Sequence, residues 1–276
     1  MNPTIGIALS GGGIRGMAHL GILQYLYEIG IQPSVISGTS AGSLAGVFLA
    51  AGFEPKEIVE IGKAENFFNR SSLELKSGGL FNTHIFERIL NKYIPHDDFE
   101  KLNIPMYVTA TNLVNAELVV FNKGSIATAV KASCAVPLVF KPVHYKDAYL
   151  CDGGILNNFP TNLIKGKCDK IIGVNVSNIP KSSIVKWSYK TIIERIVKVS
   201  INYNMEDKKQ LCDIYMEPPK MEIYSTFDFS KIDEIYKTGS VSYNTSDAAD
   251  EEDSVYLGGR CIIKKKTQKQ NDKTDI

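Results

Sequence analysis

Residues 33–52, "PSVISGTSAGSLAGVFLAAG", combine a short apolar run, a Gly-x-Ser-x-Gly motif and a second apolar run at helical spacing. Strand, tight turn and helix in this order are typical of a nucleophile elbow, in which the turn exposes a serine hydroxyl at the end of a buried strand. The small residues Gly38, Ala41 and Gly42 permit such a turn. The stretch therefore predicts that Ser40 is a nucleophile, although the motif alone is weak.

Two other predicted strands run into glycine-rich loops. "TIGIAL", residues 4–9, leads into "SGGGIRG" and a helical run over residues 17–30, and "AYLCDGG", residues 148–154, ends in two glycines. Short apolar strands that alternate with helices predict a mostly parallel sheet covered on both faces. Ligands bind at the carboxyl ends of the strands in such sheets. We therefore expect the three loops to meet at one edge.

The rest of the chain continues the alternation of helices and strands as far as residue 217. Helices are predicted over residues 54–64, 83–94, 125–135 and 189–211, strands over residues 104–113, 117–124, 170–177 and 212–217, and a loop over residues 71–81. Trp187 and the apolar stripe of residues 192–201 are expected to lie in the core. Residues 1–240 are predicted to form one domain, followed by a polar, Lys-rich tail, residues 241–276, that is expected to be flexible.

Composition excludes several classes of protein. A net charge of +1 in 276 residues offers no basic surface for nucleic acid. No apolar stretch reaches the roughly 20 residues needed to span a bilayer, and the first residues do not resemble a signal peptide. The cysteines are odd in number and without a Cys-x-x-Cys pair, which favours reduced thiols and argues against a disulfide or zinc framework. They are Cys134, Cys151, Cys168, Cys212 and Cys261.

A serine nucleophile usually transfers its proton to a histidine, but chain order argues against one here. All the histidines precede Asp152, the acid at the end of a predicted strand, so none of the three familiar orders of a Ser-His-Asp triad can include Asp152. A buried carboxylate can take the proton itself if desolvation raises its pKa. Paired with Ser40, Asp152 is therefore the candidate base, the alternative being a simple Asp-Gly turn. The histidines are His19, His84, His96 and His144.

The loop "GGGIRG", residues 11–16, supplies a third candidate element. Gly11, Gly12 and Gly13 expose backbone N–H groups at the head of a helix, where an oxyanion is stabilised. Arg15 either steadies the loop or adds positive charge, unless it is a surface arginine. A dinucleotide-binding loop is the rival interpretation, but no acidic residue ends the next strand, as ribose binding requires. The loop also lacks the Gly-Lys-Ser/Thr of a Walker A motif.

Together, "GGGIRG", "GTSAG" and "DGG" resemble the patatin-like phospholipase family, and Pro137 in "ASCAVPLVF" matches a fourth element of its pattern. The resemblance covers about residues 5–239. It implies a three-layer α/β/α sandwich and a Ser-Asp dyad that hydrolyses lipid esters without a metal. The residues carried over are the nucleophile Ser40, the base Asp152, the elbow glycines Gly38 and Gly42, and Gly11, Gly12, Gly13 and Arg15 of the oxyanion loop.

The expected function is therefore cleavage of fatty-acyl esters of phospholipids, lysophospholipids or related lipids through an acyl-enzyme. An acyltransferase using the same dyad and a catalytically silent lipid-binding module are the alternatives. The implied partner is a lipid or a membrane surface, with no nucleic acid, no metal and no cofactor. We expect a cytoplasmic protein that is peripheral at the membrane. The sequence carries no signal for oligomeric state.

Overall fold

The computed structural model describes residues 3–65, 75–76, 80–81, 83–178, 188–203, 205–224, 229–241, 254–257 and 260–263. The strands are β1 (Ile5–Leu9), β2 (Val35–Gly38), β3 (Leu75–Lys76), β4 (Leu80–Phe81), β5 (Met106–Asn112), β6 (Glu117–Phe121), β7 (Val143–Tyr145), β8 (Ala148–Asp152), β9 (Lys170–Val174), β10 (Ile214–Met216), β11 (Ser254–Leu257) and β12 (Arg260–Ile263). The helices are α1 (Met17–Glu28), α2 (Ala41–Ala50), α3 (Pro55–Ala64), α4 (His84–Tyr93), α5 (Ile126–Ser133), α6 (Gly154–Asn157), α7 (Tyr189–Asn202), α8 (Met205–Lys209) and α9 (Ile232–Val241).

The central sheet has the order β10-β9-β1-β2-β5-β8-β7, and β6 also pairs with β5. The neighbours from β10 to β5 are parallel, whereas β8 pairs antiparallel with β5, and β7 with β8. The sheet is therefore mostly parallel, as the alternation of elements predicts. Strand β8 departs from this pattern, so its final residue does not lie at the carboxyl end of a parallel strand.

Register nevertheless brings the end of β8 close to the end of β2. Gly38, the last residue of β2, is opposite Val108 of β5, and Asp152 is opposite Ala110, two residues further along the same strand. Leu9, the last residue of β1, is also opposite Gly38. The three loops that follow β1, β2 and β8 therefore start from neighbouring positions.

Side chains on the two faces of the sheet belong to different parts of the core. Ile7 and Leu9 of β1 pack into the large cluster that also contains residues of α1, α2, α3, α4 and α5. Ala8, between them, packs on the other face with Phe159 and Ile164. This alternation is expected of a strand buried on both sides, and it confirms the layered arrangement of helix, sheet and helix.

Side-chain hydrogen bonds cap the first turns of two helices. The side chain of Ser125 accepts a hydrogen bond from the Thr128 N–H at the start of α5. At the start of α3, Glu54 and Glu57 form a reciprocal capping box around Pro55. Each arrangement pairs backbone donors that the first turn of a helix leaves unsatisfied.

The structure corrects three predictions. The helix predicted over residues 189–211 is two helices, α7 and α8. The stripe within α7 is not in the core, because Ile192, Ile196 and Val199 are 40–61% exposed. In the predicted loop of residues 71–81, the described residues form the paired strands β3 and β4. Trp187 lies outside the described residues.

The C-terminal part of the domain adds a helix that the sequence pattern did not predict. Helix α9 packs along α1, and its Ile235 is fully buried. Beyond α9, β11 and β12 pair antiparallel within the predicted tail, so the proposed boundary at residue 240 stays a prediction. None of the helices in the described residues is both long enough and apolar enough to cross a membrane.

Candidate active site

Ser40 lies in a strained turn between β2 and α2. Its φ of 53° and ψ of −122° are unusual for a residue with a side chain, and its N–H donates to the Ser133 Oγ at 2.8 Å. Gly42 is required because a Cβ there would lie 2.4 Å from the Leu9 carbonyl oxygen. The elbow that "GTSAG" predicts is therefore present, and β1 and α5 hold it in place.

Asp152 is buried beside Ser40. Its Oδ1 accepts a hydrogen bond from the Gly154 N–H at 2.7 Å, and its own N–H donates to the Ala135 carbonyl at 3.0 Å. Burial raises the pKa of Asp152 to about 6, and hydrogen bonds from the Ser40 hydroxyl and the Gly154 N–H oppose that rise. A carboxylate with such a pKa is ionised at neutral pH and is still basic enough to accept a proton.

The glycine loop leaves some of its N–H groups for a ligand. The Gly11 N–H donates to the Asn158 carbonyl at 3.0 Å, so Gly11 closes the loop against the chain that follows α6. Among the described residues, the N–H groups of Gly12 and Gly13 donate to no other group. Gly13 lines the same cavity as Ser40. Gly12 and Gly13 thus remain the candidate oxyanion donors of this loop.

A further candidate donor was missed in the sequence analysis. Ala41 directly follows Ser40 and starts α2, and it lines the cavity. The first N–H groups of a helix have no partner within the helix, and in elbow enzymes the residue after the nucleophile supplies one oxyanion donor. The Gly-x-Ser-x-Gly motif itself could have indicated this position.

Arg15 holds the glycine loop to distant parts of the chain. Its guanidinium donates to the Tyr224 carbonyl from Nε and Nη2 at 3.0 and 2.8 Å, and to the Asn178 carbonyl from Nη1 at 3.1 Å. Burial lowers its pKa. Of the two roles considered for Arg15, these contacts favour steadying the loop.

Asn158 ties together two of the loops that form the site. Besides accepting from Gly11, it donates from Nδ2 to the Ser177 Oγ at 2.9 Å, after the end of β9. Just before it, the Asn157 carbonyl accepts from the Thr39 hydroxyl at 2.8 Å, next to Ser40. The residues after "DGG" therefore connect the base, the nucleophile and the glycine loop, which no local pattern indicated.

None of the histidines contacts Ser40 or Asp152 in the described part of the chain. His19 is fully buried, and its Nε2 is 2.8 Å from the Ser10 carbonyl, which fixes the tautomer because a carbonyl can only accept. Burial lowers its pKa to about 4, so the ring is neutral. His84 is exposed and pairs with Glu87.

The neighbouring cysteines are poor nucleophiles. Burial and the charge of Asp152 raise the pKa of Cys151 to about 12, and they raise the pKa of Cys134 further still. Both thiols are therefore protonated near neutral pH, unlike reactive cysteines. Within the described residues, no three His, Cys, Asp or Glu side chains are grouped so that they could hold a metal ion.

An apolar cavity begins at Ser40 and runs between the helices of one face of the sheet. Its walls come mainly from aliphatic and aromatic side chains. They include Leu44, Phe48, Phe86, Val136, Phe140 and Ile232. The cavity therefore suits an apolar chain attached to a group that reacts at Ser40.

Several known proteins resemble this chain in sequence or in fold. The sequence profile of the patatin-like phospholipase family matches residues 7–164. The chain is 27% identical over 271 residues to lysophospholipase NTE1 of Candida albicans, covering 86% of the chain and 19% of the relative. It is 29% identical over 273 residues to lysophospholipase NTE1 of Debaryomyces hansenii, covering 86% of the chain and 17% of the relative. The chain thus spans about a fifth of the length of these relatives.

The fold also has a solved counterpart. The crystal structure of VipD from Legionella pneumophila matches with a TM-score of 0.51 and 15% identity, over 87% of this chain and 66% of that one. This likeness concerns the fold alone, whereas the profile match covers more than half of the chain and includes Ser40 and Asp152. The chain belongs to the patatin-like phospholipase family of lipid ester hydrolases.

Proposed function

We propose that this chain hydrolyses fatty-acyl esters of phospholipids and lysophospholipids through the Ser40–Asp152 dyad. The observation that carries the proposal is the position of Ser40, which hydrogen-bonds a buried carboxylate and opens into an apolar cavity. The name of the two NTE1 relatives, lysophospholipase, makes a lysophospholipid the first substrate to test. The odd number of cysteines without a Cys-x-x-Cys pair supports a cytoplasmic protein, and a lipid substrate supports action at a membrane surface.

The proposed reaction has two halves. Asp152 accepts the Ser40 proton while Oγ attacks the ester carbonyl, and the N–H groups of Gly12, Gly13 and Ala41 stabilise the oxyanion. Collapse releases the alcohol, which takes the proton from Asp152, and leaves an acyl group on Ser40. Water then gives a proton to Asp152 and attacks the acyl-enzyme, and the fatty acid leaves as Ser40 regains its proton.

Loss of either member of the dyad should abolish activity. Ser40→Ala and Asp152→Asn should each reduce kcat on a lysophospholipid and on a soluble short-chain ester by about 10³-fold or more, as expected when parts of a catalytic unit are removed. A fluorophosphonate should label Ser40, located by mass spectrometry. The matched controls His84→Ala and His144→Ala should cost little. Comparable loss in either histidine variant would indicate an unrecognised triad.

Product analysis and fluorophosphonate labelling together separate the alternative functions. An acyltransferase would pass the Ser40 acyl group to glycerol or a lysolipid, so product analysis with and without such an acceptor distinguishes it from a hydrolase. A silent lipid-binding module would show neither turnover nor fluorophosphonate labelling. Free fatty acid as the main product, whether or not an acceptor is present, is the result we expect.

A further inference from the structure

An apolar stripe on α7 faces the outside of the protein. Ile192, Ile196, Val199 and Tyr203 are 40%, 61%, 52% and 74% exposed, respectively. Their spacing of four, three and four residues places them on one side of the helix, continuing just past its end. Single exposed apolar residues are ordinary, but a contiguous stripe of this kind marks an interaction surface.

This stripe belongs to a helix that packs on α6, the helix that follows the candidate base in the chain. On its packed side, α7 rests on α6, and the Ser200 hydroxyl donates to the Ile155 carbonyl at 3.0 Å. Helix α6 begins at Gly154, two residues after Asp152. Its Leu156 is 42% exposed and lines one groove together with Ile196, Val199 and Tyr203. We call Leu156, Ile192, Ile196, Val199 and Tyr203 the α6–α7 face.

The described charged side chains of α7, Arg195 and Lys198, are both positive. Helix α8 carries two acids and two bases. Lys198 is exposed, and Lys208 of α8 lines the groove that opens on the face. Apolar side chains bordered by Lys and Arg are the combination by which a helix binds an anionic lipid surface, since each cation near the surface adds about 1 kcal/mol.

A second copy of the chain fits this face less well. In a two-fold dimer the same patch meets itself, so the excess positive charge of one α7 would lie against that of the other. An anionic lipid surface has no such conflict. The lipid would also bury the apolar side chains of the face. An acidic protein partner would instead place its charged groups against them.

We propose that the α6–α7 face docks on an anionic lipid surface and thereby holds the enzyme at the surface that contains its substrate. The inference rests on the proposed function for the identity of the substrate. The docking itself needs neither Ser40 nor Asp152, so the two proposals can fail separately.

Vesicle binding tests the docking directly. The 276-residue chain with Ser40→Ala, which is expected not to degrade the lipid, is sedimented with phosphatidylcholine vesicles with and without phosphatidylglycerol. We expect phosphatidylglycerol to strengthen binding at least about tenfold, given three cations near the surface. Adding Ile196→Asp and Val199→Asp should weaken binding at least about tenfold, because both side chains leave the lipid and two anions replace them. Lys198→Glu should reduce only the part of the binding that depends on phosphatidylglycerol.

The matched control is Ile223→Asp, which changes an isoleucine that is 64% exposed but lies outside the face. It should bind vesicles as the parent does. In the active background, Ile196→Asp/Val199→Asp should lower hydrolysis of vesicle lipid while short-chain ester hydrolysis stays within about twofold. If the Asp variant does not fold, the milder pair Ile196→Ser/Val199→Ser replaces it in the test. Its thermal unfolding midpoint shows whether it is folded.

Several results would overturn the proposal. The proposal fails if the parent protein does not bind vesicles, or binds them equally with and without phosphatidylglycerol. It also fails if Ile223→Asp weakens vesicle binding as much as Ile196→Asp/Val199→Asp does, or if that double variant converts a dimer to a monomer. If Ser40 fails to react with a fluorophosphonate while vesicle binding behaves as expected, the proposed function fails and the docking stands.

Discussion

The burial of the Asp152 carboxylate lowers the stability of the folded protein. The carboxyl lies in the protein interior, where the charged form loses its water, and two hydrogen bonds compensate for only part of that loss. Such a group binds its proton more tightly in the folded protein than in the unfolded chain. The same burial therefore makes Asp152 a better base and makes the folded protein less stable at neutral pH.

The first consequence is the pH dependence of catalysis. A base must be ionised, so kcat/KM for a soluble short-chain ester should rise tenfold per pH unit below about 6 and level off above it. Steady-state rates on an uncharged ester measure this, because neither the substrate nor a lipid surface titrates in that range. A profile that stays flat down to pH 4 would contradict the assignment of Asp152.

The second consequence concerns stability. The ordinary pKa of 3.8 applies to the unfolded chain, and the value of about 6 applies to the folded protein. Because the folded pKa is the higher one, the protonated group stabilises the fold below about pH 4, and this contribution disappears as pH rises through about 6. The cost at neutral pH is at most about 3 kcal/mol.

Asp152→Asn should therefore be more stable than the wild type at pH 7 and similar to it at pH 4. Urea unfolding at several pH values measures the difference. Asp147→Asn, an exposed change in the turn before β8, is the matched control and should show no such trend. A variant that is less stable than the wild type at pH 7 would show that hydrogen bonding to the carboxylate outweighs its desolvation.

The glycine loop packs closely against the residues that follow β9. A Cβ on Gly12 would lie 2.6 Å from the Val176 Cγ2, so any side chain displaces the loop or Val176. The requirement for glycine at this position therefore comes from the space that Val176 occupies.

Gly12→Ala should reduce kcat by about 10²–10³, the usual effect of losing an oxyanion donor, and change KM only a few-fold. Since the clash is with Val176, the double variant Gly12→Ala/Val176→Ala should recover part of kcat, and Val176→Ala alone should cost little. Steady-state kinetics on a short-chain ester measure all three. Wild-type kcat in Gly12→Ala would contradict the assignment of the loop.

At the scale of the whole molecule, the loop depends on residues far along the chain. Arg15 is bound to carbonyls of Asn178 and Tyr224, which lie outside residues 7–164, where the family profile matches. Tyr224 packs in a small cluster with Ile14 and Ile235 of α9. The C-terminal part of the domain thus supports the candidate oxyanion donors.

Arg15→Met keeps the apolar part of the side chain and removes its hydrogen bonds. We expect it to lower the free energy of unfolding by about 1–3 kcal/mol, because buried carbonyls lose their donors, and to lower kcat as the loop loosens. Urea unfolding and ester kinetics measure the two effects. A large loss of kcat with unchanged stability would instead mean that Arg15 acts directly on the developing charge.

Local sequence patterns determined the elements and the motifs of the site. Strand β2, the elbow at Ser40 and helix α2 follow from the order of apolar residues and small residues over a short stretch, because turn geometry and periodicity are local properties. The pairing of Asp152 with Ser40 was predicted from the order of residues along the chain, because none of the familiar triad orders combines Asp152 with a histidine of this sequence. The catalytic roles themselves stay predictions.

Only the tertiary structure decided the features that depend on contacts distant in sequence. The antiparallel direction of β8, the bond from Gly11 to Asn158, the partners of Arg15 and the addition of α9 all involve groups that a local pattern does not relate. The stripe on α7 shows the reason most clearly. Apolar residues at helical spacing indicate that one face avoids water, but whether that face meets the core or an external surface depends on which neighbours the fold places against it.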